Sequence, residues 1–421
     1  MSKTNAKQPI YALTGLRFIS AIIIVLFHYI ILVLDYPFRV TLLAEQARAG
    51  VSLFFILSGF ILYYNYHDWF QVHVDGTRFW QFARARFARV YPMHVVALLI
   101  NTPIVLHFII TQPTQARQAY GDSLTPHFIG ISWLANLTLV QVYLPLPIFE
   151  LLWNVTAWSI ASEFVFYIAF PFFIAYVLSR FKTTRTLLIF AIRLFAIETV
   201  ALLAVVLVIF LWHSKNLDLV DFIPYRMPFF RIWEFFIGCT LGAVFVRDRQ
   251  QVESHPLVRQ LRNETCRNIV LALTLIGILT LVASSTLNVF VPLATLRRVL
   301  YWHVLYTPLL TLMIVTLAFG RTFLSPVLEH PWMLLLGEAS YSLYITHIAP
   351  VVVLAQAKAK GVEIGDFWVA ITIVLTIFAS IGFLKFVEMP ARRLLRGRKP
   401  IGVKGDIKSD NAEDQGRSQF P

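Results

Sequence analysis

The chain has 421 residues, 58% of them hydrophobic and only 14% charged, with a mean hydropathy of +0.69. Soluble domains carry about 25% charged residues, so a soluble globular class is excluded. Two cysteines, Cys239 and Cys266, argue against a disulfide framework or a metal site. The net charge of +13 is no sign of nucleic-acid binding. The basic residues do not form one face with interleaved aromatics but sit in short clusters between apolar runs, where membrane topology alone would put them.

The chain opens MSKTNAKQP, basic and followed by an apolar run. That run is too long for a signal peptide, contains Arg17 and His28, and lacks a small-x-small cleavage site, so it is predicted to be a retained first span. Runs near the roughly 20 residues that cross a bilayer follow, giving candidate spans 13–34, 50–66, 90–110, 158–178, 188–212, 229–246, 268–287, 300–319, 334–356 and 367–387. A weaker apolar stretch covers 128–144. The expected fold is an all-α polytopic membrane protein of about ten transmembrane helices with no soluble domain. Residues 1–12 form a cytosolic N-terminus, 13–387 the membrane domain, and 388–421 a basic, disordered cytosolic tail.

Lysine and arginine tend to stay on the cytoplasmic side. With the N-terminus in the cytosol and 128–144 not crossing, 25 of the 36 basic residues fall inside and 10 outside, with Arg17 within the membrane. If 128–144 crosses, the split becomes 13 inside and 22 outside. Ten crossings with both termini cytosolic are therefore expected, and 128–144 is read as a re-entrant or interfacial segment, a place where irregular backbone usually lines a cavity.

Ionisable residues inside spans are costly and mark functional sites by default. Arg17 and His28 in the first span are eleven residues apart, which at 100° per residue leaves them about 20° apart on one face and roughly 16 Å apart along the axis. The plainer reading makes Arg17 an anchor to headgroups and His28 a hydrogen-bond partner of a neighbouring helix. Glu163 in the fourth span, WSIASEFVFYIAFP, is expected at the depth of His28, where a carboxylate would orient the imidazole. Arg84, Arg86 and Arg89 precede the third span, and Arg forks suit phosphate oxygens, although juxtamembrane arginines also serve topology and anionic lipid. Arg231 and Glu234, three apart, read first as a structural pair. His347 lies mid-span and Glu388 at the end of the last span, each as suited to packing as to chemistry. Gly121-Asp122-Ser123-Leu124 spells an esterase motif without the α/β domain that gives it meaning.

Taken together, the motifs resemble the acyltransferase 3 family of membrane acyltransferases. They are LTGLRFISA with His28, GVSLFFILSGFIL at 50–62, RFARVYP at 86–92, WSIASEFVFYIAFP at 158–171, RIWEFFIGCTLG at 231–242, SYSLYITH at 340–347 and VEMP at 387–390. Their order and spacing hold over about 380 residues. The resemblance implies transfer of an acyl group, commonly acetyl from acetyl-CoA, to a hydroxyl of a glycan, a lipid-linked sugar or a small molecule such as a macrolide. It also implies a bacterial inner-membrane location among lipid, with acyl-CoA as co-substrate and no permanently bound cofactor. His28 carries over as the catalytic histidine, Arg17, Arg86 and Arg89 as donor-binding arginines, and Glu163 as the acid of the Trp-Ser motif. Trp158, Ser159, Tyr344, His347, Arg231 and Glu234 are expected around them. The family pattern WSLSVEEQFY has a second acid where this chain has Phe164, and a serine where it has Ala161. Some members carry a C-terminal esterase-like domain. Here the expectation is that the membrane domain completes the transfer or hands the group to another protein.

In the expected mechanism Arg86 and Arg89 hold the CoA phosphates. The pantetheine arm runs past Arg17, and His28, oriented by Glu163, deprotonates the acceptor. Direct transfer and an acyl intermediate on His28 or a nearby serine both remain open. A transporter or flippase would also use buried His, Arg and Glu, but no internal repeat is visible. The other large class of membrane O-acyltransferases does not share these motifs.

Overall fold

A computed structural model describes residues 8–34, 36–37, 40, 44–144, 146–212, 223–250, 255–287, 296 and 299–396. The described residues form helices and no strands, and the protein is an all-α polytopic membrane protein. Helices are the economical answer to an apolar solvent, because every backbone N–H and C=O is satisfied within the segment. Lys3, Lys7, Arg39, Lys215, Arg297, Arg298 and the chain after Arg396 lie outside the described residues.

The principal helices are α1 Tyr11–Leu32, α2 Ala49–Tyr66, α3 Gly76–Thr111, α4 Pro126–Leu137, α5 Ala157–Phe172, α6 Thr184–Trp212, α7 Pro228–Arg249, α8 Glu264–Leu287, α9 Tyr306–Phe319, α10 Pro331–Thr346, α11 Ile348–Ala359, α12 Asp366–Phe383 and α13 Met389–Arg396. Eight helices among the described residues are long and apolar enough to cross a membrane. The other two expected spans, 300–319 and 334–356, are present as interrupted helices. A π-helical turn, Leu300–Leu305, leads into α9. The second breaks into α10 and α11 at His347. Pro350 explains that break, since it has no N–H for the Thr346 carbonyl and its ring would clash with that carbonyl in a continuous helix.

Segment 128–144 forms the 12-residue α4 and a short 3₁₀ turn, Gln141–Tyr143. At 1.5 Å per residue α4 reaches about 18 Å, short of the ~30 Å hydrocarbon core. The expected tail boundary at 387/388 is corrected at its near end. The chain stays helical through Arg396, held where Arg392 pairs with Glu388 and Ser342 Oγ donates to Glu388 Oε2 at 2.9 Å.

The centre of the bundle is the α2–α7 pair, the most buried of the spans. Their backbones meet at Gly59 and Gly238. A Cβ on Gly59 would sit 2.0 Å from the Phe235 carbonyl oxygen, and one on Gly238 2.0 Å from that of Ile56. Small residues permit this approach, which supplies the van der Waals and Cα–H contacts that hold helices together in lipid. On one side α1 packs along α10, which in turn packs on α12.

Candidate functional site

Two adjoining cavities hold residues that the sequence singles out. The larger, about 440 Å³, is lined by Arg17 from α1, Arg86 and Arg89 from α3, Glu163 and Tyr167 from α5, and Tyr341 from α10, among others. Arg86 is 93% buried in the sense that only 7% of its surface is exposed, and its guanidinium is fixed by the aromatic residues of the α2–α3 corner. Its Nη2 donates to the Tyr66 hydroxyl at 2.9 Å, and the group stacks 5.0 Å from the Tyr66 ring centre and 5.9 Å from that of Phe82. Arg17 and Arg89 form no hydrogen bond or ion pair with another described residue, yet interact electrostatically with each other across the cavity. Arg84 is exposed and does not line this cavity. Three guanidiniums thus face one carboxylate, Glu163, which hydrogen-bonds Tyr167. The cavity carries surplus positive charge, to which an anion would be attracted.

The smaller cavity, about 60 Å³, is lined by His28, Ile24 and Phe27 of α1, with Arg48, Trp158, Tyr225 and Arg226. Arg226 pairs with Glu150 at 2.6 Å. The Arg48 guanidinium stands between the rings of Phe27 and Tyr225, at 5.4 and 5.3 Å. Val51 and Tyr344 line both cavities, so they form the partition between them. Across that partition the Tyr344 hydroxyl and Ser159 Oγ lie 2.9 Å apart, with Ser159 also donating to the Thr156 carbonyl at 3.0 Å. Trp158 and Ser159, adjacent on α5, face the small and the large cavity respectively.

The expected pairing of His28 with Glu163 is not what the structure contains. His28 Nδ1 lies 2.9 Å from the Ile24 carbonyl oxygen and 3.1 Å from Nε2 of His347, with the two rings 5.0 Å apart. Glu163 faces the other cavity with Arg17. The reason is lateral rather than axial: α1 packs along α10, so the side chain that reaches His28 comes from the end of α10 and not from α5.

Arg231 and Glu234 do form the expected i,i+3 pair, at 3.0 Å, but inside a larger buried network. Arg231 Nη2 donates to Ser52 Oγ at 3.0 Å and Nη1 meets His303 Nδ1. Glu198 of α6 completes the group, its two oxygens without a hydrogen-bond partner among the described residues. Donor atoms of Glu198, Glu234 and His303 lie within 4.8 Å of one another, a spacing a cation could use. Arg231 already stands against two of the three, so a guanidinium supplies positive charge there. Sequence reading passed over Glu198 and His303, although Glu198, an acid inside the apolar run RLFAIETVALL, carries the same signal as Glu163. Gly121–Ser123 is a short 3₁₀ turn at the surface, as its context requires of a chance motif.

A family model described as an acyltransferase domain, that of acyltransferase 3, matches residues 10–385. The chain belongs to the acyltransferase 3 family. Among curated relatives, the O-acetyltransferase OatA of Staphylococcus aureus is 25% identical over 410 residues, covering 93% of this chain and 59% of the relative. The peptidoglycan O-acetyltransferase OatA of Listeria monocytogenes is 23% identical over 399 residues, covering 92% and 56%. Acyltransferase MdmB of Streptomyces mycarofaciens is 38% identical over 122 residues, 29% of this chain and 27% of the relative. The chain thus spans less than two thirds of the length of these relatives. No solved structure matches it.

Proposed function

We propose that this membrane protein transfers an acyl group, acetyl in the first instance, from cytosolic acyl-CoA to a hydroxyl of a sugar, glycan or lipid-linked sugar at the opposite side of the membrane. The observation that carries the reading is the arrangement of the two cavities. A chamber with three guanidiniums adjoins, through Tyr344 and Val51, a small chamber that contains the histidine. Arg17, Arg86 and Arg89 suit the phosphates of the donor, and the thioester reaches the partition at Tyr344. The acceptor hydroxyl comes to His28 from the side of Arg48 and Trp158. A ring nitrogen of His28 takes the hydroxyl proton as the acceptor oxygen bonds to the thioester carbon. The C–S bond breaks, the departing thiolate takes that proton from the imidazolium, and ester, CoA thiol and neutral His28 remain. Ser159 Oγ is held by Thr156 and Tyr344 and hydrogen-bonds no histidine among the described residues, which favours direct transfer over a serine ester. The donor side is assigned to the cytosol because it carries the arginines that precede the third span.

The test is release of CoA from acetyl-CoA by the purified protein in detergent, combined with mass spectrometry of surface glycans from cells with and without the gene. CoA release and gene-dependent loss of O-acetyl groups are expected. No CoA release would leave a transporter or flippase. CoA release with unchanged glycans would point to a small-molecule acceptor of the macrolide type.

A further inference from the structure

We infer that His347 is the positioning residue of the base: it holds His28 as the Nδ1–H tautomer and so makes Nε2 the nitrogen that accepts the proton. The inference rests on the reading of His28 as the base and adds to it the partner that the carboxylate of Glu163 does not provide.

The chain of reasoning starts at a backbone carbonyl. His347 Nδ1 lies 2.8 Å from the Tyr344 carbonyl oxygen. A carbonyl oxygen only accepts, so Nδ1 of His347 carries the hydrogen, and in the neutral ring its Nε2 then carries a lone pair. That Nε2 is 3.1 Å from His28 Nδ1, which must therefore donate. An independent contact gives the same answer. The Ile24 carbonyl oxygen is 2.9 Å from the same His28 Nδ1 and also can only accept. One N–H is shared between two acceptors, and the lone pair of His28 is left on Nε2. The opposite tautomer would set a lone pair against both Ile24 O and His347 Nε2.

Burial makes the arrangement decisive. His347 is wholly buried, so water does not offer it alternative partners. Its place at the α10–α11 break, three residues before Pro350, puts the ring beside the Tyr344 carbonyl of its own helix end. When His28 Nε2 takes the proton, the contact from His28 Nδ1–H to His347 becomes charge-assisted and strengthens, which helps the step that needs it. The charged residues lining the same cavity are Arg48 and Arg226, and Arg226 is paired with Glu150.

The experiment measures acetyl-CoA turnover, as CoA release, by the purified full-length protein in detergent, with kcat and KM per folded protein for His347→Ala, His347→Gln, His28→Ala and His28→Gln. Glutamine at 347 can accept from His28 with its carbonyl and donate to Tyr344 with its amide. It should therefore keep activity within a few-fold of the parent. Alanine at 347 should lower kcat about 10- to 100-fold, the worth of one charge-assisted hydrogen bond, with KM for acetyl-CoA unchanged. Both His28 variants should be inactive. If His347→Ala keeps parental kcat while His28→Ala is dead, the positioning role is wrong and the base stands. If His347→Gln is as dead as His28→Gln, position 347 carries protons itself and the inference fails. If His28→Ala is active, the base assignment falls and this inference with it. A merely structural role would instead lower folded yield without a kcat-only loss that Gln repairs.

Discussion

Arg89→Ala is the cleanest perturbation of the cavity proposed to take the donor. Arg86 is tied to Tyr66, so its loss would mix ligand binding with packing. Arg89 is half-buried, faces the cavity, and has no hydrogen bond or ion pair with another described residue. Removing it relieves its repulsion with Arg17 and forfeits an attraction to Glu388, which keeps Arg392 and Ser342 as partners, so thermal stability should stay within about 1 kcal/mol of the parent. What is lost is a cationic fork aimed at an anion. A hydrogen bond to a charged group contributes about 1.5–3 kcal/mol, which corresponds to a donor Kd raised about 10- to 100-fold. Arg89→Lys keeps the charge but not the planar fork and should fall between the two. Equilibrium titration of detergent-solubilised protein with acetyl-CoA, alongside a melting curve, measures both quantities. An unchanged Kd in Arg89→Ala and in Arg17→Ala would refute the donor assignment of this chamber.

The remaining predictions address the base, the topology and the helix pair at the centre. His28→Ala should lose at least 10²-fold in acyl transfer, the usual contribution of a general base, with normal membrane abundance; near-parental activity would remove His28 from the chemistry. Reporter fusions at Thr183 and Arg259 should both report the cytosol, and an outside signal from both would mean that segment 128–144 crosses. Gly238→Val should destabilise the folded protein by at least about 1–3 kcal/mol, read as a lower melting temperature, because its Cβ would stand 2.0 Å from the Ile56 carbonyl oxygen; an unchanged melting temperature would mean that α2 and α7 do not touch there.

Much of the fold was readable from the sequence because a membrane leaves the chain few choices. Apolar runs of the right length become helices, and eight of the ten expected spans are helices long and apolar enough to cross a membrane, two of them with a π-helical turn at Phe173–Val177 and Leu384–Glu388. The two that fall short of that length do so for local reasons. Pro350 carries a visible signal for the split at His347. The π-helical turn Leu300–Leu305 carries the same marker, because Pro308 has no N–H for the Val304 carbonyl inside that turn. The intramembrane-charge rule brought Arg17, His28 and Glu163 forward, and each of them lines a cavity. Applied evenly, it would also have raised Glu198, and with it the buried network around Arg231.

What the sequence could not show is which helix lies beside which. Counting residues along a helix yields depth and face, and on that basis His28 and Glu163 match in depth. Neighbourhood is decided instead by where backbones can approach. A Cβ on Gly337 would lie 2.1 Å from the Thr14 carbonyl oxygen, so α10 meets α1 at that level at backbone distance. Following the two helices from this contact toward His28 leads to the end of α10, where Pro350 breaks the span and leaves His347 facing His28. A glycine and a proline, neither of them polar and neither at the site, thus determine the partner of the histidine. The carboxylate of Glu163 is left among the arginines of the other cavity, where it offsets part of their mutual repulsion while leaving a net positive charge for an anion to meet.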